Sequence, residues 1–307
     1  MAEGILGTNG DTPLVPLRRF TPADASEIWV KLEATNPTGS MKDRAALSMV
    51  EGAMARGELA RNGCVIERTG GSAGASLAMV CASLGLRAHL VSSDAYSEEK
   101  RNAMRALGAE VDIVPSDAGA ITPALSAQMQ ARIDELNADP GCYWTDQFHN
   151  VDNRNAYHAL GREVLRQTMG AIEAFVMGVG SGGAFSGTAE ALKEARPFVR
   201  CVAVEPDTSR NLSGGPLGGH RIEGIGIGYL PPLFRADLAD SIEAVTLEEA
   251  QEASRRLAAT EGILAGISSG ANLAVALRVA KTLGTGTRVV TILVDSGLKY
   301  LAGDLYR

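Results

Sequence analysis

Short apolar runs alternate along the chain with longer stretches in which apolar residues recur at helical spacing. The runs Ile28–Leu32, Cys64–Glu67, Arg87–Ser92, Glu110–Val114, Glu173–Gly178, Arg200–Val204 and Val289–Val294 read as strands, because apolar and β-branched residues dominate them. Between them, helices are expected over Arg44–Arg56, Ala75–Leu84, Glu98–Leu107, Ile121–Leu136, Tyr157–Gln167, Phe185–Ala195, Leu247–Ala259 and Asn272–Leu283. Thr246 followed by Glu249 forms a capping box, and Gly262 marks the stop of the same helix. Strands that alternate with helices in this way predict an α/β fold with a largely parallel sheet. Gly214–Pro232 is too rich in turn residues for a core element, and a break near Asp139-Pro140-Gly141 is expected to separate two lobes.

Composition mostly excludes. The chain of 307 residues carries 29 basic and 36 acidic side chains, a net charge of −7, and no basic stripe, so no nucleic-acid partner is expected. The segment Met1–Pro16 has no basic region followed by an apolar run, and no uncharged apolar stretch is long enough to span a membrane. Cys64, Cys81, Cys142 and Cys201 show no C-x-x-C spacing, and His89, His149, His158 and His220 show no metal spacing. These features predict a cytoplasmic protein with reduced thiols and no metal.

Glycine is the compositional outlier, with 35 copies in 307 residues, about 11% where about 7% is usual. The surplus gathers in four segments: Asn36–Lys42, Thr69–Gly74, Gly178–Gly183 and Gly266–Gly270. A strand that passes through glycines into a helix presents free backbone N–H groups and a positive dipole end, which suits phosphate or carboxylate. One such loop alone is as well explained by a tight turn; four in one chain are not. Gly178, Gly180 and Gly183 spell G-x-G-x-x-G, with Glu205 near the spacing of a ribose-binding acid, as in a dinucleotide fold. Gly70-Gly71-Ser72-Ala73-Gly74 fits the G-x-S-x-G of a serine hydrolase, although no His-Gly-Gly segment precedes it. Lys42 stands directly after a Gly-Ser turn at the expected start of a helix, where the dipole disfavours a cation and favours the neutral amine that Schiff-base chemistry needs.

The segment Asn36-Pro37-Thr38-Gly39-Ser40-Met41-Lys42-Asp43-Arg44 resembles the cofactor-lysine motif of the cysteine synthase and cystathionine β-synthase family, pyridoxal-phosphate enzymes of fold type II. The resemblance runs almost end to end, through Gly10–Leu14, Glu205-Pro206, Leu212–Gly215, Gly224–Gly228, Glu261–Gly270, Asp295–Gly297 and Tyr300-Leu301. It implies two open, twisted, mostly parallel sheets flanked by helices, as in the tryptophan synthase β fold. It further implies a larger cofactor-anchoring domain over residues 1–40 and 146–307, and a smaller, mobile substrate-side domain over 41–145. Pyridoxal 5′-phosphate is the implied cofactor, bound covalently by Lys42, with its phosphate on Gly180, Ser181, Gly182, Gly183 and Ala184. Ser296 would meet the pyridine nitrogen; a hydroxyl there, unlike a carboxylate, does not enforce a protonated ring, so the electron sink is moderate. Lys42, once released, would act as general base toward the Cα proton. Thr69, Gly70, Gly71, Ser72, Ala73, Gln147 and Gly226 fall on the positions that bind the amino-acid substrate, with Ser72 also near the cofactor ring.

Departures from the family pattern bear on substrate choice. The substrate-carboxylate loop of the family reads Thr-Ser-Gly-Asn-Thr-Gly, whereas here it is Thr69-Gly70-Gly71-Ser72-Ala73-Gly74. Hydroxyls are lost at Gly70 and Ala73, the asparagine becomes the shorter Ser72, and Ala184 removes a further donor. Hydrogen bonds to charged groups are worth about 1.5–3 kcal/mol each, enough to change which substrate is accepted. The expected activity is β-elimination or β-replacement on a serine-derived amino acid such as O-acetylserine, O-phosphoserine or a cysteine-like donor. The rival readings are a serine/threonine dehydratase-like deaminase, whose family carries Gly-Asn-His around position 72, and a cofactor-retaining binding protein with little turnover. The family is typically dimeric, so a homodimer is expected.

Overall fold

In a computed structural model, which describes residues 4–119 and 122–307, the chain divides into two compact units. One comprises Met1–Asn9 and Asn36–Asn153, the other Gly10–Thr35 and Arg154–Arg307. The larger unit opens with β1 (Leu14–Pro16) and β2 (Glu27–Leu32). The chain then builds the smaller unit: α1 (Lys42–Arg56), β3 (Cys64–Arg68), α2 (Ser72–Leu84), β4 (Arg87–Ser93), α3 (Glu98–Ala106), β5 (Glu110–Val114), α4 (Pro123–Asn137) and β6 (Cys142–Trp144). A short helix, α5 (Val151–Asn155), leads back into the larger unit. There follow α6 (His158–Thr168), β7 (Ala174–Gly178), α7 (Gly183–Ala195), β8 (Arg200–Pro206), β9 (Ser241–Val245), α8 (Leu247–Glu261), α9 (Ile267–Leu283) and β10 (Arg288–Leu293).

The smaller unit holds a four-stranded sheet in the order β5-β4-β3-β6, parallel throughout. The larger unit holds a six-stranded sheet in the order β1-β2-β10-β7-β8-β9, parallel except where β1 pairs with β2. Strands buried on both faces read as continuous apolar runs, which is why β7 (Ala-Phe-Val-Met-Gly) is buried along its whole length. In the larger unit, Ile28, Val30, Val176, Val202 and Val289 of the sheet pack with Leu257, Leu273 and Val279 of the covering helices. In the smaller unit, Val65 and Leu90 pack with Val50 of α1 and Leu77 of α2 on one side, while Ile66 and Val91 pack with Leu125, Met129 and Ile133 of α4.

Three strands escape the periodicity: the three-residue β1 and β6, and the five-residue β9. The stretch Asp139–Gly141 is a turn and not a lobe boundary: Asp139 accepts from the backbone of Gly141 and Cys142, and delivers the chain into β6 alongside β3. A three-residue strand carries too little pattern to be seen, so the turn residues before it look like a linker. Helix α4 is in place, but the expected start at Ile121 lies outside the described residues. The Thr246 capping box closes as expected, with reciprocal bonds of 3.1 Å and 2.8 Å to Glu249.

Candidate active site

Lys42 is the first residue of α1 in the smaller unit. The turn that delivers it is built by its neighbours. Gly39 takes a left-handed φ of 73° and donates to Asn36 O at 2.8 Å. The buried Asp43 carboxylate accepts from Thr38 N at 2.7 Å and Thr38 Oγ1 at 2.5 Å, so the residue after the lysine locks the loop before it. Thr38 Oγ1 also lies 3.4 Å from Ser76 Oγ on α2, and Ser76 donates to Ser72 O at 2.9 Å. That chain of hydroxyls ties the Lys42 turn to the start of α2.

The loop Thr69–Gly74 runs from the end of β3 into α2, whose first turn has no capping side chain because Gly71 stands at the cap. Its N–H groups are therefore available to an anion such as a carboxylate. Thr69 Oγ1 accepts from Gly71 N at 3.2 Å and stiffens the turn. Gln147 is placed beside the same loop: its N–H donates to Glu67 Oε2 at 3.0 Å, and its Nε2 reaches Arg68 O at 3.4 Å. Glu67 is buried and accepts in addition from Thr145 Oγ1 at 2.6 Å and Arg68 N at 2.9 Å. Burial pushes its carboxyl up from the ordinary value, against the pull of these three donors. The smaller unit thus brings together Lys42, Thr69, Gly70, Gly71, Ser72, Ala73 and Gln147.

The larger unit collects the remaining residues at the carboxyl ends of adjacent strands. Gly180, Ser181, Gly182, Gly183 and Ala184 form the turn from β7 into α7, and Gly182 caps the helix with φ 87° and no side-chain bond. A Cβ on Gly180 would lie 2.2 Å from Gly224 O, and one on Gly182 would lie 2.5 Å from Phe234 N. Backbone alone fits here, and it presents amide donors on the positive end of a 13-residue helix. Gly226 belongs to the same cluster, because its N–H donates to Val179 O at 3.2 Å. Asn272, fully buried on α9, fixes the approach: it accepts from Gly178 N at 2.7 Å and donates to Ile292 O at 2.9 Å. Nothing in the spacing of the chain singles it out; only its polarity in an apolar helix is a signal.

Ser296 follows β10 and forms an isolated bridge with Ala265. Its neighbour Asp295 accepts from Tyr300 Oη at 2.8 Å, and burial beside that carboxylate pushes the Tyr300 phenol well above its usual range. Tyr300 therefore stays neutral and donates. A Cβ on Gly266 would meet Asp295 Oδ1 at 2.1 Å, so glycine is what lets this packing form around Ser296.

Two other readings of the glycine loops do not hold. Both Glu205 oxygens accept bonds from Leu212 N and Ser213 Oγ, so the carboxylate folds the following loop and is not offered to a ribose. In the smaller unit, His89 pairs with Asp112 at 3.0 Å and His149 with Asp146 at 2.9 Å, and among the described residues neither is hydrogen-bonded to Ser72. Among the described residues one group of three possible metal ligands comes together, His89, Glu110 and Asp112, but Arg132 already holds Asp112 at 2.6 Å.

Each unit thus carries a glycine-rich turn on an uncapped helix N-terminus, an arrangement that suits phosphate or carboxylate, and the smaller one also starts a helix with Lys42. The chain belongs to the pyridoxal-phosphate dependent enzyme family, whose model matches residues 5–295. It is 42% identical to a cysteine synthase of Staphylococcus aureus over 299 residues, 97% of this chain and 94% of that protein. The crystal structure of O-ureido-L-serine synthase superposes with a TM-score of 0.94 at 37% identity, covering 100% of this chain and 95% of that one. A hydrogen sulfide-producing enzyme from Fusobacterium nucleatum gives 0.92 at 36% identity, covering 98% of each chain. The protein is a pyridoxal-phosphate dependent enzyme of the cysteine synthase kind. Its own residues fit that cofactor: the Gly180–Gly183 turn opens α7 with no side-chain cap, which leaves first-turn amides at the positive end of the helix to donate to a phosphate. Among the described residues, no helix is long and apolar enough to cross a membrane.

Proposed function

We propose that the protein catalyses β-replacement on a serine derivative, with Lys42 as the residue that bonds pyridoxal phosphate and moves the Cα proton. When bound, the cofactor withdraws electrons from the substrate Cα, which labilises the Cα proton and a β-substituent. The Lys42 amine accepts that proton at Nζ. The amides of Gly180–Gly183 hold the phosphate, and the Ser296 hydroxyl partners the ring nitrogen without a formal charge. The Thr69–Ala73 amides, with Gln147 alongside, hold the substrate α-carboxylate at the start of α2. The observation that carries this reading is the Thr38–Asp43 lock, which fixes Lys42 at the start of α1 and ties it through Ser76 to the Thr69–Gly74 loop.

Solved relatives are named for O-ureido-L-serine and O-acetylserine, which supports a serine-derived donor such as O-acetylserine, O-phosphoserine or a cysteine-like amino acid, with sulfide, a thiol or an amine as nucleophile. A homodimer and a cytoplasmic location are part of the same reading, supported by the family resemblance. Sizing with light scattering tests the dimer. The chemistry is tested by adding O-acetylserine and sulfide to the cofactor-loaded protein and assaying cysteine. Turnover that vanishes in Lys42→Ala supports the reading; a Lys42→Ala variant with wild-type turnover sinks it.

A further inference from the structure

The two glycines at the centre of the Thr69–Gly74 loop are covered from one side by the segment that follows β4. A Cβ on Gly70 would lie 2.5 Å from Tyr96 Cε1, 2.7 Å from Cδ1 and 3.0 Å from Cζ. A Cβ on Gly71 would lie 2.4 Å from Lys100 Cδ. The Tyr96 ring and the buried Lys100 stem therefore occupy the volume that side chains at 70 and 71 would need. The segment that carries them is firmly built. Asp94 accepts from Ser116 N at 2.7 Å and Ser93 Oγ at 3.1 Å, Tyr96 N donates to Ser93 O at 3.2 Å, and Ser97 caps α3 by accepting from Lys100 N.

A carboxylate held on the first-turn amides of α2 meets no side-chain donor at position 70, because that residue is glycine. The side chain standing in its place is a phenol, whose Cζ lies 3.0 Å from the point that a Gly70 Cβ would occupy. We propose that Tyr96 is a substrate-binding residue of this enzyme: its hydroxyl donates to the α-carboxylate of the amino-acid substrate, supplying the oxygen that Gly70 lacks. Glycine at 70 and tyrosine at 96 then form one exchangeable unit, since a larger residue at 70 and the ring at 96 compete for the same space. The assignment rests on the β-replacement reading above, which places the substrate carboxylate on this loop.

Steady-state kinetics with O-acetylserine and sulfide, with thermal unfolding alongside, test it on holoenzyme. Tyr96→Phe keeps the ring and removes the oxygen: KM for O-acetylserine is expected to rise about tenfold or more, with kcat and the unfolding temperature unchanged. Gly70→Ser alone forces the ring off the loop and is expected to lower the unfolding temperature and raise KM. The pair Gly70→Ser/Tyr96→Ala relieves the crowding, restores the hydroxyl from the other residue, and recovers most of both losses. A Tyr96→Phe variant with KM within twofold of wild type overturns the assignment, as does a Gly70→Ser defect that Tyr96→Ala leaves unrelieved. Wild-type protein whose absorbance no serine derivative perturbs overturns the β-replacement reading itself and this assignment with it. Wild-type turnover beside an indifferent Tyr96→Phe overturns Tyr96 alone.

Discussion

Asn272→Ala is the sharpest test of how the larger unit holds its phosphate cradle. The amide is fully buried and joins β7 to β10 through bonds of 2.7 Å to Gly178 N and 2.9 Å to Ile292 O. Truncation strands one buried N–H and one buried C=O, each at a cost of about 1–3 kcal/mol, so the variant loses about 2–6 kcal/mol. For a body of this size 1 kcal/mol corresponds to about 2–4 °C, and a central loss of about 4 kcal/mol lowers the unfolding temperature by about 8–16 °C. Gly178 stands two residues before the cradle, so cofactor affinity falls as well. Asn272→Asp keeps the acceptor for Gly178 but sets a carboxylate against the Ile292 carbonyl, and does not rescue. Circular dichroism melting and fluorescence titration of the apoprotein with pyridoxal phosphate read the two effects. An unfolding temperature within about 2 °C of wild type, with unchanged cofactor affinity, would refute the reasoning.

Gly182→Ala forces an L-residue into φ 87°, with its Cβ 2.5 Å from the Phe234 backbone nitrogen. The left-handed conformation alone costs about 1–2 kcal/mol, so cofactor titration should show about 5- to 30-fold weaker binding. Burial raises the Glu67 carboxyl above its ordinary 4.5, so the stability it contributes is complete below that value and lost as pH rises through the raised one. Glu67→Gln stays neutral throughout, and its unfolding temperature should gain on wild type as pH rises above 4.5; a flat difference contradicts the burial argument. Burial pushes the Cys64 thiol up to about 11 and those of Cys81 and Cys201 up to about 12. Iodoacetamide at about pH 8 should therefore leave all three unmodified by mass spectrometry until the protein is unfolded.

Much of this architecture is legible in the chain, because a buried parallel strand and an amphipathic helix each impose a period on the sequence. Strand β5 (Glu110–Val114) falls where the pattern puts it, and most other long elements start or end within a few residues of their expected limits. Helix starts are the systematic miss. α2 begins at Ser72, α7 at Gly183 and α9 at Ile267, each earlier than the apolar period suggests, because the residues that precede the expected starts are, Ile267 apart, glycine, serine and alanine. Those early starts put the glycine loops directly on helix N-termini, which is what an anion site requires. Asn272, Tyr96 and Lys100 were not legible as site residues. Their roles depend on which backbone each packs against, and two positions 26 residues apart, such as Gly70 and Tyr96, leave no periodic trace of their contact.

The central claim is that Lys42 carries the cofactor. Borohydride reduction of the holoenzyme, followed by proteolysis and tandem mass spectrometry, reads it without reference to any substrate. The expected result is a phosphopyridoxyl group on Lys42 and its disappearance in Lys42→Ala. A label on any other lysine, or none in a protein saturated with pyridoxal phosphate, would contradict the assignment.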